Sequence, residues 1–363
     1  MTSIRATHSL RPVAPLPRLS PAAEHRFLEL ACGLPRGVQR RLFGPPPRLD
    51  GQTLASDIHA LVRIAALARG DNLSDGADVD DARAERRREA EVVGEQPPIP
   101  MARVESLQIP GPAGTLAARL YVPAEPAPAG LLVYYHGGGW VIGDLETHDR
   151  PCRFLAHHAG VQVLAIDYRL APEHPFPAAP EDAFAAYEWT SANAARFGVE
   201  PGRIGVGGDS AGANLAAVTC LLARDDGAPP PAMQLLIYPV TDCTQELPSR
   251  RTFREGFLLT RRDMDWFEDR YLPPGADRGD PRVSILQADL GDLPPAYLAT
   301  AGFDPLRDEG EAFALKLREA GVRVAFRRHP GLVHTYANLT SICPSARHAM
   351  LEAAGALRAG LSA

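Results

Sequence analysis

Between residues 204 and 214 the chain reads Ile-Gly-Val-Gly-Gly-Asp-Ser-Ala-Gly-Ala-Asn, an apolar run that passes through one G-x-S-x-G into a segment rich in alanine and leucine. A serine at the centre of so tight a strand-to-helix turn takes a strained backbone, and side chains two residues away on either side would strike the neighbouring strand and helix. Gly208 and Gly212 remove those side chains. A helix beginning at Ala211 also aims free amides and a positive dipole end at the oxygen that reacts with the serine. A bare G-x-S-x-G also occurs as a plain turn. The strand before it and the helix after it make Ser210 a candidate nucleophile.

Such a turn belongs at the end of a sheet strand. From about residue 100 onward, short β-branched or apolar runs alternate with helical stretches, the pattern of a mostly parallel sheet covered on both faces. Strands are expected over 104–109, 118–122, 131–135, 161–165, 204–207, 233–238, 296–300 and 322–327. From the third onward their C-terminal ends fall on one side, where ligands bind in open α/β sheets.

Three further strand ends carry chemistry. After 131–135 comes Tyr135-His136-Gly137-Gly138-Gly139-Trp140, whose three glycines leave backbone N–H groups bare, as an oxyanion hole requires. Ala211 supplies a further donor. His136 precedes the serine and is expected to order its loop, since an α/β-hydrolase runs in the order serine, acid, histidine. That order points to Asp304, at the end of 296–300, with Asp242 as its rival after 233–238. Asp308 and Glu309 read as acids offsetting a helix dipole. His334, beyond the last strand, is the candidate base. His329 lies too close to the strand, and His348 falls within the final helix, on its surface.

These segments together resemble the hormone-sensitive lipase family of esterases, in its branch with GDSAG around the serine. The resemblance rests on His136-Gly137-Gly138-Gly139-Trp140, on Gly208 to Gly212, on Asp304-Pro305-Leu306-Arg307-Asp308-Glu309-Gly310 and on Tyr168-Arg169-Leu170-Ala171-Pro172-Glu173-His174-Pro175-Phe176-Pro177, and it covers residues 100–355. It implies an α/β-hydrolase fold with a helical cap, catalytic Ser210, Asp304 and His334, and oxyanion donors among Gly137, Gly138, Gly139 and Ala211. The implied reaction is hydrolysis of short to medium acyl esters through an acyl-enzyme. An amidase or acyltransferase would use the same triad, and relatives such as the plant gibberellin receptors bind without turnover; those lack the histidine present here as His334. The sequence departs from the family at Thr335-Tyr336, where glycine and an aromatic are usual, and at Ser284-Ile285, where serine-proline is common.

Residues 1–98 read as a tail followed by helices that form part of the cap; residues 99–363 form the catalytic domain, with a cap insertion at 244–280. In the tail, Arg5, Arg11 and Arg18 precede the first acid, but Pro12, Pro15, Pro17 and Pro21 oppose a targeting helix. Apolar stripes are expected at Phe27, Leu28, Leu30 and Ala31, and at Ile58, Leu61, Val62, Ile64, Ala65 and Leu67. With the resemblance placing such helices over the site, the second stripe is expected to wall the acyl pocket. Residues 78–91, with interspersed acids and arginines, read as a solvated helix. In the insertion, Thr260 is expected to cap a helix carrying Met264, Phe267 and Tyr271. Arg169 is expected to pair with Glu173 or Asp167. Trp140, Trp266 and Phe257 read as core residues, one or two of which line the pocket.

Composition narrows the remaining choices. The 363 residues are 45% hydrophobic and 23% charged, with a net charge of −6 and no basic footprint for nucleic acid. Five scattered cysteines, without a CxxC pair, signal neither a disulfide scaffold nor a zinc site and favour a cytoplasmic location. No run approaches the ~20 apolar residues of a membrane span. The expected partner is a small-molecule ester, with no cofactor or metal and no stable membrane insertion; a homodimer is compatible with the sequence.

Overall fold

The computed structural model describes residues 19–69, 78–124 and 130–362. The tail with Arg5, Arg11 and Arg18 therefore lies outside the described residues. The chain begins with α1 (Pro21–Gly33), α2 (Arg36–Phe43), a short ribbon of β1 (Arg48–Leu49) and β2 (Gln52–Thr53), α3 (Ser56–Arg69) and α4 (Val79–Val93). Ser20 caps α1 by accepting from the amide of Ala23 at 3.4 Å, with Pro21 in the first turn. Its buried stripe is His25, Leu28 and Cys32, with Ala31 beside it, whereas Phe27 and Leu30 are exposed. The expected stripe was thus rotated, because the partner surface on α3 and α4 selects the i, i+3, i+7 row.

One sheet of eight strands follows: β3 (Arg103–Gly111), β4 (Gly114–Val122), β5 (Leu131–Tyr135), β6 (Gln162–Asp167), β7 (Ile204–Asp209), β8 (Gln234–Ile237), β9 (Ala296–Phe303) and β10 (Val324–Val333). Their order across the sheet is β10-β9-β8-β7-β5-β6-β4-β3, antiparallel at β3/β4 and β4/β6 and parallel elsewhere. Every residue of β5, β7, β8 and β9 is buried, which explains why these strands read as continuous apolar runs.

Two cores sandwich the sheet. Leu131, Val133 and Tyr135 of β5 point into one, and Leu132 and Tyr134 into the other. The remaining helices are α5 (Asp149–Ala159), α6 (Ala178–Ala192), α7 (Ala211–Asp225), α8 (Pro248–Thr252), α9 (Arg261–Tyr271), α10 (Arg307–Glu319) and α11 (Pro344–Ser362). Buried residues of α6, α7 and α10 fill the first core; those of α5 and α11, with α1 and α3, fill the second. The parallel topology puts the C-terminal ends of β5, β7, β9 and β10 along one edge, and the candidate site residues follow them. No helix among the described residues is long and apolar enough to cross a membrane.

Candidate active site

Ser210 stands between β7 and α7 with φ 55° and ψ −119°, a conformation that only surrounding packing sustains. A Cβ on Gly212 would lie 1.9 Å from the carbonyl oxygen of Tyr135, and one on Gly208 2.3 Å from the same atom. The turn therefore closes against β5 only with glycine at both positions.

His334 follows β10, and its Nε2 lies 2.9 Å from the Ser210 Oγ. On the far side of the ring, Nδ1 is 2.8 Å from Oδ2 of Asp304, which sits beyond β9 and is fully buried. With Nδ1–H donating to the carboxylate, Nε2 remains as acceptor for the serine hydroxyl. The other Asp304 oxygen accepts from the amide of Leu306 at 2.8 Å, which fixes the carboxylate's orientation. The ring of Tyr238 packs 4.5 Å from that of His334. Asp242 is engaged elsewhere, accepting from the amide and hydroxyl of Thr244 and from Gln287. His329 packs on Tyr336, and His348 is exposed on α11.

The glycine loop after β5 borders the same space. The Gly137 amide, expected among the oxyanion donors, is already committed: it donates to Oδ1 of Asp209 at 3.0 Å. Among the described residues no hydrogen bond takes the amides of Gly138, Gly139 or Ala211. His136 orders the loop, its Nδ1 lying 2.9 Å from the Gly137 carbonyl and its ring stacked 4.3 Å from Tyr168. Burial, reinforced by nearby His148, pushes its pKa down to about 4, so the ring is neutral near pH 7. Asp209 also accepts from the hydroxyls of Tyr134 at 2.7 Å and Tyr238 at 3.3 Å. Nε2 of His148 is 3.3 Å from Oδ1, close enough to attract but not aligned as a hydrogen bond. Burial alone would raise the Asp209 pKa; His148 and Tyr134 outweigh it and hold the carboxyl well below its ordinary range.

Trp140, Val240, Leu259, Met264, Phe267 and Leu306 give the cleft an apolar wall. Trp140 is stacked 4.2 Å from Tyr271 of α9, whose N-terminus Thr260 closes in a reciprocal capping box with Asp263. Phe257 instead packs with Phe253 and Phe303, and Trp266 lies beneath the guanidinium of Arg270. Among the described residues, none of α3 borders the cleft. Ile58 and Leu61 are buried, with α3 lying on α1, α2, β10 and α11, while Leu67 is 82% exposed, so the expected acyl-pocket wall is packing.

Several charged residues also differ from expectation. The helix read as solvated, α4, buries Val79, Ala82, Ala90 and Val92, and its Arg86 borders the cleft. Arg169 pairs with Asp182 at 2.7 Å, leaving Glu173 to Arg83. Glu309 is no surface dipole acid: it is buried, bonded to Arg250 at 2.8 Å and to the amide of Thr241 at 2.8 Å. Thr335, also on the cleft, has φ 67°, a left-handed backbone that costs a β-branched residue and explains why glycine suits the position. Among the described residues no group of three or more His, Cys, Asp or Glu side chains is arranged to hold a metal ion.

Comparison with known proteins gives the same fold. A family model described as alpha/beta hydrolase fold matches residues 132–338. Carboxylic ester hydrolase LipN of Mycobacterium tuberculosis is 47% identical over 323 residues, covering 86% of this chain and 85% of that protein. An ethyl acetate hydrolase of Pseudomonas putida is 39% identical, covering 67% of this chain and 78% of that protein. Among solved structures, an ester hydrolase from the metagenome of Lake Arreo, complexed with a bipyridine phosphonate derivative, superposes with a TM-score of 0.81 at 42% identity, over 85% of this chain and 99% of that one.

Proposed function

The chain belongs to the hormone-sensitive-lipase-like family of α/β-hydrolase esterases and is a carboxylic ester hydrolase, and from this premise we propose that Ser210, His334 and Asp304 carry the reaction on short to medium acyl esters. The observation that carries the reading is the continuous contact from Asp304 through both nitrogens of His334 to the Ser210 hydroxyl, at 2.8 and 2.9 Å.

Ser210 Oγ attacks the ester carbonyl while His334 Nε2 takes its proton, and Asp304 steadies the imidazolium that forms. The carbonyl oxygen becomes an oxyanion held by the amides of Gly138, Gly139 and Ala211, which have no other hydrogen-bond partner among the described residues. Collapse of this intermediate breaks the bond to the alcohol, which leaves with the proton from His334. Water, activated by the same imidazole, then hydrolyses the acyl-enzyme and regenerates Ser210.

The helices of residues 1–98 and the insertion at 244–280 act as the cap, a reading supported by Arg86, Met264 and Phe267 on the cleft. The apolar wall suits an acyl chain, and the relative named for ethyl acetate supports small esters. The five buried free thiols support a cytoplasmic location. A 4-nitrophenyl ester series from acetate to decanoate on the purified protein tests the reading. Turnover highest at short to medium length is expected, and absence of turnover at every length would overturn it.

A further inference from the structure

Arg86 has no part in the chemistry assigned above, yet it sits in the reaction space. Its neighbours on α4 are tied outward: Arg83 to Glu173 at 2.7 Å, Arg87 to Asp144 at 2.5 Å and Arg88 to Glu24 at 2.5 Å. Arg86 instead turns to the cleft shared with Ser210 and His334, its side chain only 12% exposed. Arg83 and Arg87 tie α4 to the loops after β6 and β5 and Arg88 ties it to α1, so the inward guanidinium is positioned before any ligand arrives.

The partners of that guanidinium are few. Among the described residues its one ion pair is with Glu89, one turn along the helix, through Nη1 at 3.5 Å. Among the described residues no hydrogen bond takes its Nε or Nη2. The acids that share the cleft are differently placed. Glu268 is taken up by Arg250 at 3.4 Å and Arg278 at 2.5 Å, and Asp209 by the Gly137 amide and two tyrosine hydroxyls. The donors left without an acceptor in this apolar cleft are therefore cationic, and Arg86 is also among the charges that favour ionised Asp209, next to the serine. A planar guanidinium with free N–H groups in a low-dielectric wall matches a carboxylate, which it binds through paired, charge-assisted hydrogen bonds.

We propose that Arg86 is a specificity determinant that selects esters bearing a second, ionised carboxylate a few atoms from the scissile carbonyl, such as monoesters of dicarboxylic acids. This rests on the ester-hydrolase reading of Ser210. Neutral esters of the same size fill the cleft without pairing the guanidinium.

The test uses the full chain with monoethyl succinate and monoethyl adipate against their neutral counterparts, ethyl 4-methylpentanoate and ethyl 6-methylheptanoate. The expected result is a kcat/KM preference for the acid ester of at least one length of about tenfold or more, the size of one charge-assisted hydrogen bond. Arg86→Gln should lower that anionic-to-neutral ratio by about the same factor, Arg86→Lys should lower it less, and added salt should weaken it in the unaltered protein. A ratio unchanged in Arg86→Gln, or a wild-type preference for the neutral ester at both lengths, would overturn the proposal. Should the variants fail to fold, the unaltered protein decides alone: adipate must inhibit neutral-ester hydrolysis competitively and less so in high salt, and absence of inhibition overturns it. Loss of the parent reading looks different. In that case neither ester class is turned over, or turnover persists in Ser210→Ala.

Discussion

The amide of Gly137 donates to the carboxylate of Asp209 across 3.0 Å, fastening the loop after β5 to the turn after β7 one residue before Ser210. The same carboxylate receives Tyr134 and Tyr238, and the Tyr238 hydroxyl in turn accepts from the amide of Ala337 beyond the His334 loop. One buried anion thus links the glycine loop, the Ser210 turn and the His334 loop. Asp209→Asn keeps the shape but removes the charge and one acceptor. The expected result is a kcat lower by about ten- to a hundredfold with little change in KM, since the loop amides act mainly in the transition state. A raised KM with unchanged kcat would show the network acting on ground-state binding instead.

At Thr335 the left-handed backbone implies strain that glycine would release. Thr335→Gly should raise stability by about 1 kcal/mol, the cost of that backbone reduced by the greater freedom glycine has when unfolded. It should also widen the cleft and shift the ester series toward bulkier acyl groups. Thermal melting and the chain-length profile check both, and a lower Tm would show that the threonine side chain contributes more than its backbone costs.

Acid should weaken the fold through His136. Its folded pKa, near 4, lies below the ordinary 6.5, so between these values the unfolded chain binds a proton that the folded one refuses. Stability is then fully present above about pH 6.5 and falls as pH drops toward 4, by up to about 3 kcal/mol from this group alone. Asp209, whose folded pKa is depressed, adds a further loss when it must be protonated at still lower pH. Glu309 and Asp167, whose carboxyls burial raises to about 7 and about 6, act in the opposite direction, so urea midpoints at pH 7.5, 6 and 5 are compared between the protein and His136→Gln, and an equal slope in the two would contradict the account.

Legibility of the sequence followed the locality of each signal. The central strands β5, β7, β8 and β9 are short, wholly buried runs, and the Ser210 turn is written in five consecutive residues, so both were readable. Asp304 and His334 were candidates because each follows a strand, and the structure places them in contact with each other and with Ser210. The ribbon of β1 and β2 was missed because two-residue strands carry no periodicity. Arg86 is one of several arginines on a charged helix, and only the docking of α4 decides which turns inward. The same kind of docking exposed Phe27 and Leu30, and buried Glu309 against Arg250. Gly137 looked like its two neighbours until the position of Asp209, 72 residues away, claimed its amide.

The two acids once in competition now have distinct surroundings, and mutation should separate them. Asp304→Asn leaves the packing intact but disturbs the tautomer of His334, and should lower kcat by about 10^4. Asp242→Asn touches Thr244 and Gln287 and should alter kcat by less than about tenfold while lowering stability by about 1 kcal/mol. Comparable losses of kcat in both variants would remove Asp304 from its assigned role.

Covalent labelling by a fluorophosphonate, followed by intact mass and peptide mapping alongside residual ester hydrolysis, addresses the nucleophile itself. Ser210 is 8% exposed at the base of the cleft, and its hydroxyl lies 2.9 Å from the imidazole that would activate it. The account predicts one adduct per chain, on the peptide containing Ser210, with activity lost in proportion to labelling and neither label nor turnover in Ser210→Ala. An adduct on another residue, or ester hydrolysis surviving in Ser210→Ala, would contradict it.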